Sequence, residues 1–154
     1  GGLRPQLLDR FGLSVEVRSP TDIDERVEVI RRRAAFDTQP EAFLKKWRAK
    51  DTKIRKAILS GRAALGSVEA SDAALRDCAE LCVALGSDGL RGELTLLRTA
   101  RALAAYEGSD AVTRDHLRRV APMSLSHRLR RDPLDEAPWT PLQNMIAAAK
   151  QRLG

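Results

Sequence analysis

A chain of 154 residues has room for one domain, or for one domain with appended pieces. Its apolar share is 43% but its aromatic share only 4%, so a core must be built from Leu, Ala, Val and Ile, and a charged share of 31% suits helical surfaces rather than disorder. The net charge of +6 attracts phosphates, yet Lys and Arg are interleaved with acids and aromatics for base stacking are scarce, so nucleic acid is not expected as a partner.

Residues 5–11 read as a short helix with Pro5 in the first turn, where its missing N–H costs nothing. Residues 13–17 then alternate apolar and polar, the period-2 mark of a strand. No second convincing strand follows, so this segment is expected to be the edge of a sheet whose other strands are missing, with Leu13, Val15 and Val17 inviting association. Beyond Pro20 every element reads as helix. Thr21 or Asp22 caps the first, Ile23, Val27 and Ile30 mark its apolar face, and Arg31, Arg32 and Arg33 fall in its last turn. A helix from Pro40 to about residue 65 follows, with a possible break at Asp51 and Thr52 and a stop at Gly66.

Ser71 caps the next helix, with Leu75, Cys78, Cys82 and Leu85 on one stripe. A helix over 90–107 carries Leu94, Leu97 and Leu103 inward and closes at Gly108. Thr113 caps a helix over 114–131, which Pro122 must kink or divide. The tail is a Pro-rich linker ending in a short helix over 142–153. The sum is a mainly α chain, a bundle of about five helices preceded by an orphan helix and strand. Cys78 and Cys82 stand at i, i+4, a poor disulfide geometry that fits a reducing cytoplasm. No apolar run approaches the ~20 residues of a membrane span, and the first residues resemble no signal peptide. A soluble cytoplasmic protein is expected.

Two stretches are distinctive. LRPQLLDRFGLSVEV (3–17) runs into SPTDIDERVEVIRRR (19–33), and ALGSDGLRGELTLLRTARALAA (84–105) is followed by DHLRRVAPMSLSHRLRRDPLDE (115–136). In this order they resemble the C-terminal half of the I-type AAA+ ATPase subunit of magnesium chelatase, which uses ATP to drive Mg²⁺ into protoporphyrin IX in chlorophyll and bacteriochlorophyll synthesis. The resemblance spans about residues 3–136. It implies a helical lid domain over 20–133 and a remnant of the αβα ATPase core over 1–19; the linker and tail helix over 134–154 are read from the residues alone, and their role is left open. It aligns Arg10, in LLDRF, with the arginine finger that acts in trans, and Arg91, in GLRGEL, with the sensor-2 arginine that meets ATP phosphate in cis.

The resemblance further implies ATP and Mg²⁺ in the intact subunit and no resident metal site here. Its partners would be other copies in a hexameric ring, the larger AAA+ subunit and the porphyrin-binding subunit. The sequence has no G-x-x-x-x-G-K-[ST] pattern and no strand ending in acids that could hold Mg²⁺. This chain alone is therefore expected neither to bind nucleotide tightly nor to hydrolyse it. The alternative is a non-catalytic helical module that docks on a chelatase partner subunit.

Plainer readings stand beside these roles. Arg10 reads alone as a surface arginine pairing with Asp9 or Glu16, and Arg91 as a solvated arginine slightly at odds with the positive end of its helix. Cys78 and Cys82 read as small buried apolar residues. His116, His127 and the run from Arg128 to Arg131 read as solvated. Gly1 and Gly2 stand where the family continues back into the core, which reads as a truncation or a boundary, and the tail after about 136 departs from the family.

Overall fold

The computed structural model describes residues 7, 10–87, 90–128, 147 and 151. Among them are five α-helices: α1 (Ile23–Thr38), α2 (Pro40–Ala64), α3 (Asp72–Ala84), α4 (Arg91–Glu107) and α5 (Arg114–Leu125), with a 3-10 turn at Leu65–Ser67. The chain divides into two compact units, Glu16–Leu59 and Gly1–Val15 with Ser60–Gly154. Among the described residues no helix is long and apolar enough to cross a membrane.

In the unit Glu16–Leu59, Asp22 caps α1 by accepting the Glu25 N–H at 2.9 Å, and Asp24 and Glu25 complement the positive helix end. The helix does not end at the arginine run. It continues to Thr38, because Glu28 takes Arg31 and Arg32 and Asp37 takes Arg33, turning the run into pairs one helical turn apart. α2 passes Asp51 and Thr52 without a break and gives way to the 3-10 turn at Leu65. Phe36 meets Phe43 edge-on at 5.7 Å, Phe43 lies 5.8 Å from Trp47, and Arg32 and Lys50 sit over the Trp47 ring. No residue of α1 is buried.

The core lies in the other unit, where α3, α4 and α5 enclose Leu81, Leu96, Leu117 and Leu125. Its α4 face is not the expected one. Gly92, Leu96, Ala100 and Ala104 repeat every four residues and are buried, whereas Leu94 is half exposed and Leu97 and Leu103 only flank the core. Small residues at that spacing let a neighbouring helix approach closely, so the stripe follows size rather than bulk. On α3, Cys78 and Cys82 are buried as expected, with Leu81 and Asp77 beside them, while Leu75 points outward.

Helix ends follow from local chemistry. Ser71 accepts the Ala74 N–H at 3.2 Å and opens α3. α3 and α4 both close on a left-handed glycine, Gly86 (φ +67°) and Gly108 (φ +75°). At each, two N–H groups reach back to the last turn, Ser87 to Cys82 and Gly86 to Val83, Ser109 to Ala104 and Gly108 to Ala105. A parallel bridge between Glu69 and Ala111 ties the approaches to α3 and α5. α5 ends at Leu125 with Pro122 inside it, shorter than the expected span to residue 131.

Residues 13–17 carry neither helix nor ladder. A strand needs a neighbour to pair with, and among the described residues Ser14 finds only the Met123 carbonyl, at 2.8 Å. Of the first helix, Leu7 is helical and Arg10 lies in a turn; the rest of it, and the tail helix apart from Ala147 and Gln151, fall outside the described residues.

One close approach makes a testable demand. A Cβ on Gly61 would stand 3.0 Å from the Tyr106 Cα and 3.3 Å from the Ala105 carbonyl carbon, so α2 meets the α4 backbone there. Gly61→Val is expected to destabilise this unit by about 1–3 kcal/mol, read as a lower urea midpoint at constant m-value. An unchanged midpoint would show that the two helices can part.

Candidate functional site

Arg91 is the first residue of α4 and is exposed. Residue Leu90 provides no side-chain cap, so the first amides of α4 carry the partial positive charge that a helix N-terminus offers to anions. Behind Arg91, Gly92 is buried, because the Ser87 hydroxyl occupies the place of a side chain and Leu125 Cδ2 would lie 3.4 Å from a Cβ there. Among the described residues, the Ser87 hydroxyl and one Glu93 carboxylate oxygen are buried there without a hydrogen-bond partner. The Ser87 hydroxyl and the free α4 amides can donate to an anionic group, whereas the Glu93 carboxylate oxygen can only accept and would favour a donor.

Beneath this helix end, Cys78 donates to the Glu93 carbonyl at 3.4 Å. The hydrogen bond with Cys78, together with burial, pushes the Cys82 thiol well up, so it stays protonated at neutral pH. Cys78 and Cys82 are free thiols of the core.

Arg10 is exposed in the turn whose N–H reaches back to the Leu7 carbonyl at 3.1 Å. Its expected partner Glu16 is held instead by Arg18 at 2.7 Å, and Asp9 lies outside the described residues. One residue on, the Phe11 carbonyl accepts from His127 Nε2 at 2.8 Å and from Arg128 Nη2 at 2.6 Å. His127 and Arg128 are therefore half-buried and engaged rather than solvated, and nothing local in the sequence announces a partner more than a hundred residues away.

His116 corrects the expectation of a solvated histidine as well: it is 6% exposed. Its Nδ1 accepts the Thr113 N–H at 3.0 Å while its own N–H donates to Thr113 Oγ1 at 3.3 Å, a capping box with histidine in the usual place of Glu or Gln. With Nδ1 accepting, the ring proton belongs on Nε2, which faces Glu107 at 3.3 Å. The Arg119 guanidinium, and to a smaller degree His116, hold the Glu107 carboxyl below its usual range. Across the unit, Arg114 forks onto the nearly buried Asp77 at 2.8 and 3.1 Å, fastening the start of α5 to α3.

Known proteins place this geometry in a family. The AAA lid domain matches residues 75–146, ten residues beyond the point at which the sequence resemblance was expected to stop. The magnesium-chelatase 38 kDa subunit of Rhodobacter capsulatus is 72% identical over 137 residues, covering 89% of this chain and 39% of that protein. A magnesium-chelatase subunit ChlI homolog of Methanocaldococcus jannaschii is 42% identical over 154 residues, covering 99% of this chain and 42% of its own length. That match extends into the tail, beyond the expected limit of the resemblance. Among solved structures, a candidate ATPase from Cytophaga hutchinsonii superposes with a TM-score of 0.71 at 18% identity, over all of this chain and 49% of that one, a likeness of fold alone. The chain thus spans about two-fifths of the length of the curated relatives it matches. On these identities and the lid-domain match, the chain belongs to the family of the magnesium-chelatase 38 kDa subunit and carries its AAA lid domain.

Proposed function

We propose that in the intact subunit this chain completes ATP sites shared between neighbouring copies of a ring, and that hydrolysis there drives insertion of Mg²⁺ into protoporphyrin IX. The 72% identity to the magnesium-chelatase subunit of Rhodobacter capsulatus carries the reading. The uncapped, exposed start of α4 at Arg91 and the exposed turn at Arg10 support it.

The two arginines would divide the work. As the bond to the leaving group breaks, negative charge spreads over the γ-phosphate oxygens, and a guanidinium from the next subunit neutralises it. Arg10 takes that role in trans, which makes hydrolysis depend on assembly. Arg91 meets phosphate in its own subunit, with the α4 dipole behind it, and reports nucleotide state to the lid. ATP and its Mg²⁺ are held mainly by the rest of the intact subunit. The larger AAA+ subunit and the porphyrin-binding subunit are the partners through which the ring acts.

Mixed rings test the division. Full-length Arg10→Ala and Arg91→Ala subunits should each be inactive alone as ATPases. Mixed in equal amounts they should regain activity, because about a quarter of randomly assorted head-to-tail interfaces pair an intact Arg10 with an intact Arg91. A mixture as inactive as its components would place both arginines on one subunit's site, or on none.

A further inference from the structure

The last turn of α5 touches both arginine-bearing segments. On one side Leu125 packs against Gly92, next to Arg91. On the other, the Met123 carbonyl accepts the Ser14 N–H, and just beyond the helix His127 and Arg128 both donate to the Phe11 carbonyl, adjacent to Arg10. Arg128 is braced in turn, its Nε donating to the Ser124 carbonyl at 3.1 Å and its N–H to the Leu125 carbonyl at 2.8 Å.

Two side chains on one main-chain carbonyl, one of them charged, make a strong and directional hold. The hold is bought at a local cost, since the His127 Nδ1 is buried with no partner among the described residues while its Nε2 serves Phe11. An arrangement optimised only for stability would satisfy both nitrogens or use an apolar side chain. The feature that the hold does fix is the backbone beside Arg10.

We propose that His127 and Arg128 are positioning residues for Arg10, and that they make the turn carrying it move as one body with the end of α5 and the start of α4. The inference rests on the trans role of Arg10 given above. Through this link, nucleotide sensed at Arg91 in one subunit sets the placement of the guanidinium offered to the next subunit's site. The signal then has a direction around the ring, and the same strut carries it in every copy.

The test uses full-length subunits. Arg128→Ala should lower ATP turnover by roughly ten- to a hundredfold, the scale of a displacement of about 1 Å at a reacting group, with the ATP dissociation constant unchanged within about twofold. His127→Ala should act in the same direction, and Arg128→Lys, which keeps one charged donor, should recover part of the loss. Mixed rings then locate the defect. Arg128→Ala subunits should regain turnover when mixed with Arg91→Ala subunits, which supply an intact Arg10, and should not regain it with Arg10→Ala subunits.

Parent-like turnover in both the His127→Ala and Arg128→Ala rings overturns the inference. So does rescue by Arg10→Ala subunits, or rescue by neither partner. The mixture of Arg10→Ala with Arg91→Ala is the control: if it stays inactive, the trans role itself fails. If it regains activity while Arg128→Ala does not sort with Arg10→Ala, only the positioning role fails.

Discussion

Replacing Arg10 with Ala in the intact subunit is expected to cut ATP turnover by about 10³- to 10⁵-fold, the range seen when an arginine finger is supplied or withheld. Nucleotide affinity should stay within about twofold, because the guanidinium matters most when charge has moved onto the transferring phosphoryl group. Arg10 is exposed, and the neighbouring Glu16 is engaged by Arg18, so its loss removes no buried partner and should leave the fold intact. Arg10→Lys should recover little, since an ammonium lacks the planar fork that meets two phosphate oxygens at once. Steady-state phosphate release, with fluorescent-nucleotide titration of the same samples, separates the two quantities. Parent-like release from Arg10→Ala rings would remove Arg10 from the chemistry.

The second large effect is on stability. Leu117→Ala is expected to cost about 2–5 kcal/mol, because the side chain is fully enclosed where α3, α4 and α5 meet and a cavity would remain. Leu94→Ala, at a position 50% exposed on α4, should cost less than about 1 kcal/mol. Urea unfolding followed by helical circular dichroism compares them directly. Equal midpoints for the two variants would mean that the core has been misplaced.

The contrast between these leucines also shows what the sequence disclosed and what it withheld. Helix existence and capping were readable: Ser71, Thr113 and Gly108 do what their chemistry says, and a mainly helical fold followed, whereas its identity as a lid came from the family resemblance. The buried face of α4 was not, because a search for bulky residues selects Leu94, whereas close packing selects the stripe of Gly92, Ala100 and Ala104. Helix ends were misplaced where the competing force was electrostatic, as with Glu28 and Asp37 carrying α1 past its arginines. A similar limit applies to the histidines. Thr113 and His116 stand at capping-box spacing, so that bond could have been anticipated with His in the acceptor role. The bond from His127 to Phe11 joins residues far apart in the chain, and no local pattern encodes it. Arg10 and Arg91 were selected by family resemblance; their local spacing alone favoured ordinary surface arginines.

α1 buries no residue, and its unit is held by exposed ion pairs and by cations lying on Trp47. Such a segment opens locally at a free energy far below that of the α3–α5 core, so its amides belong to a separate and earlier cooperative unit of hydrogen exchange. A single unfolding free energy therefore does not describe the chain. The value measured for Leu117→Ala is a property of the α3–α5 core, and a probe confined to Trp47 reports a different equilibrium.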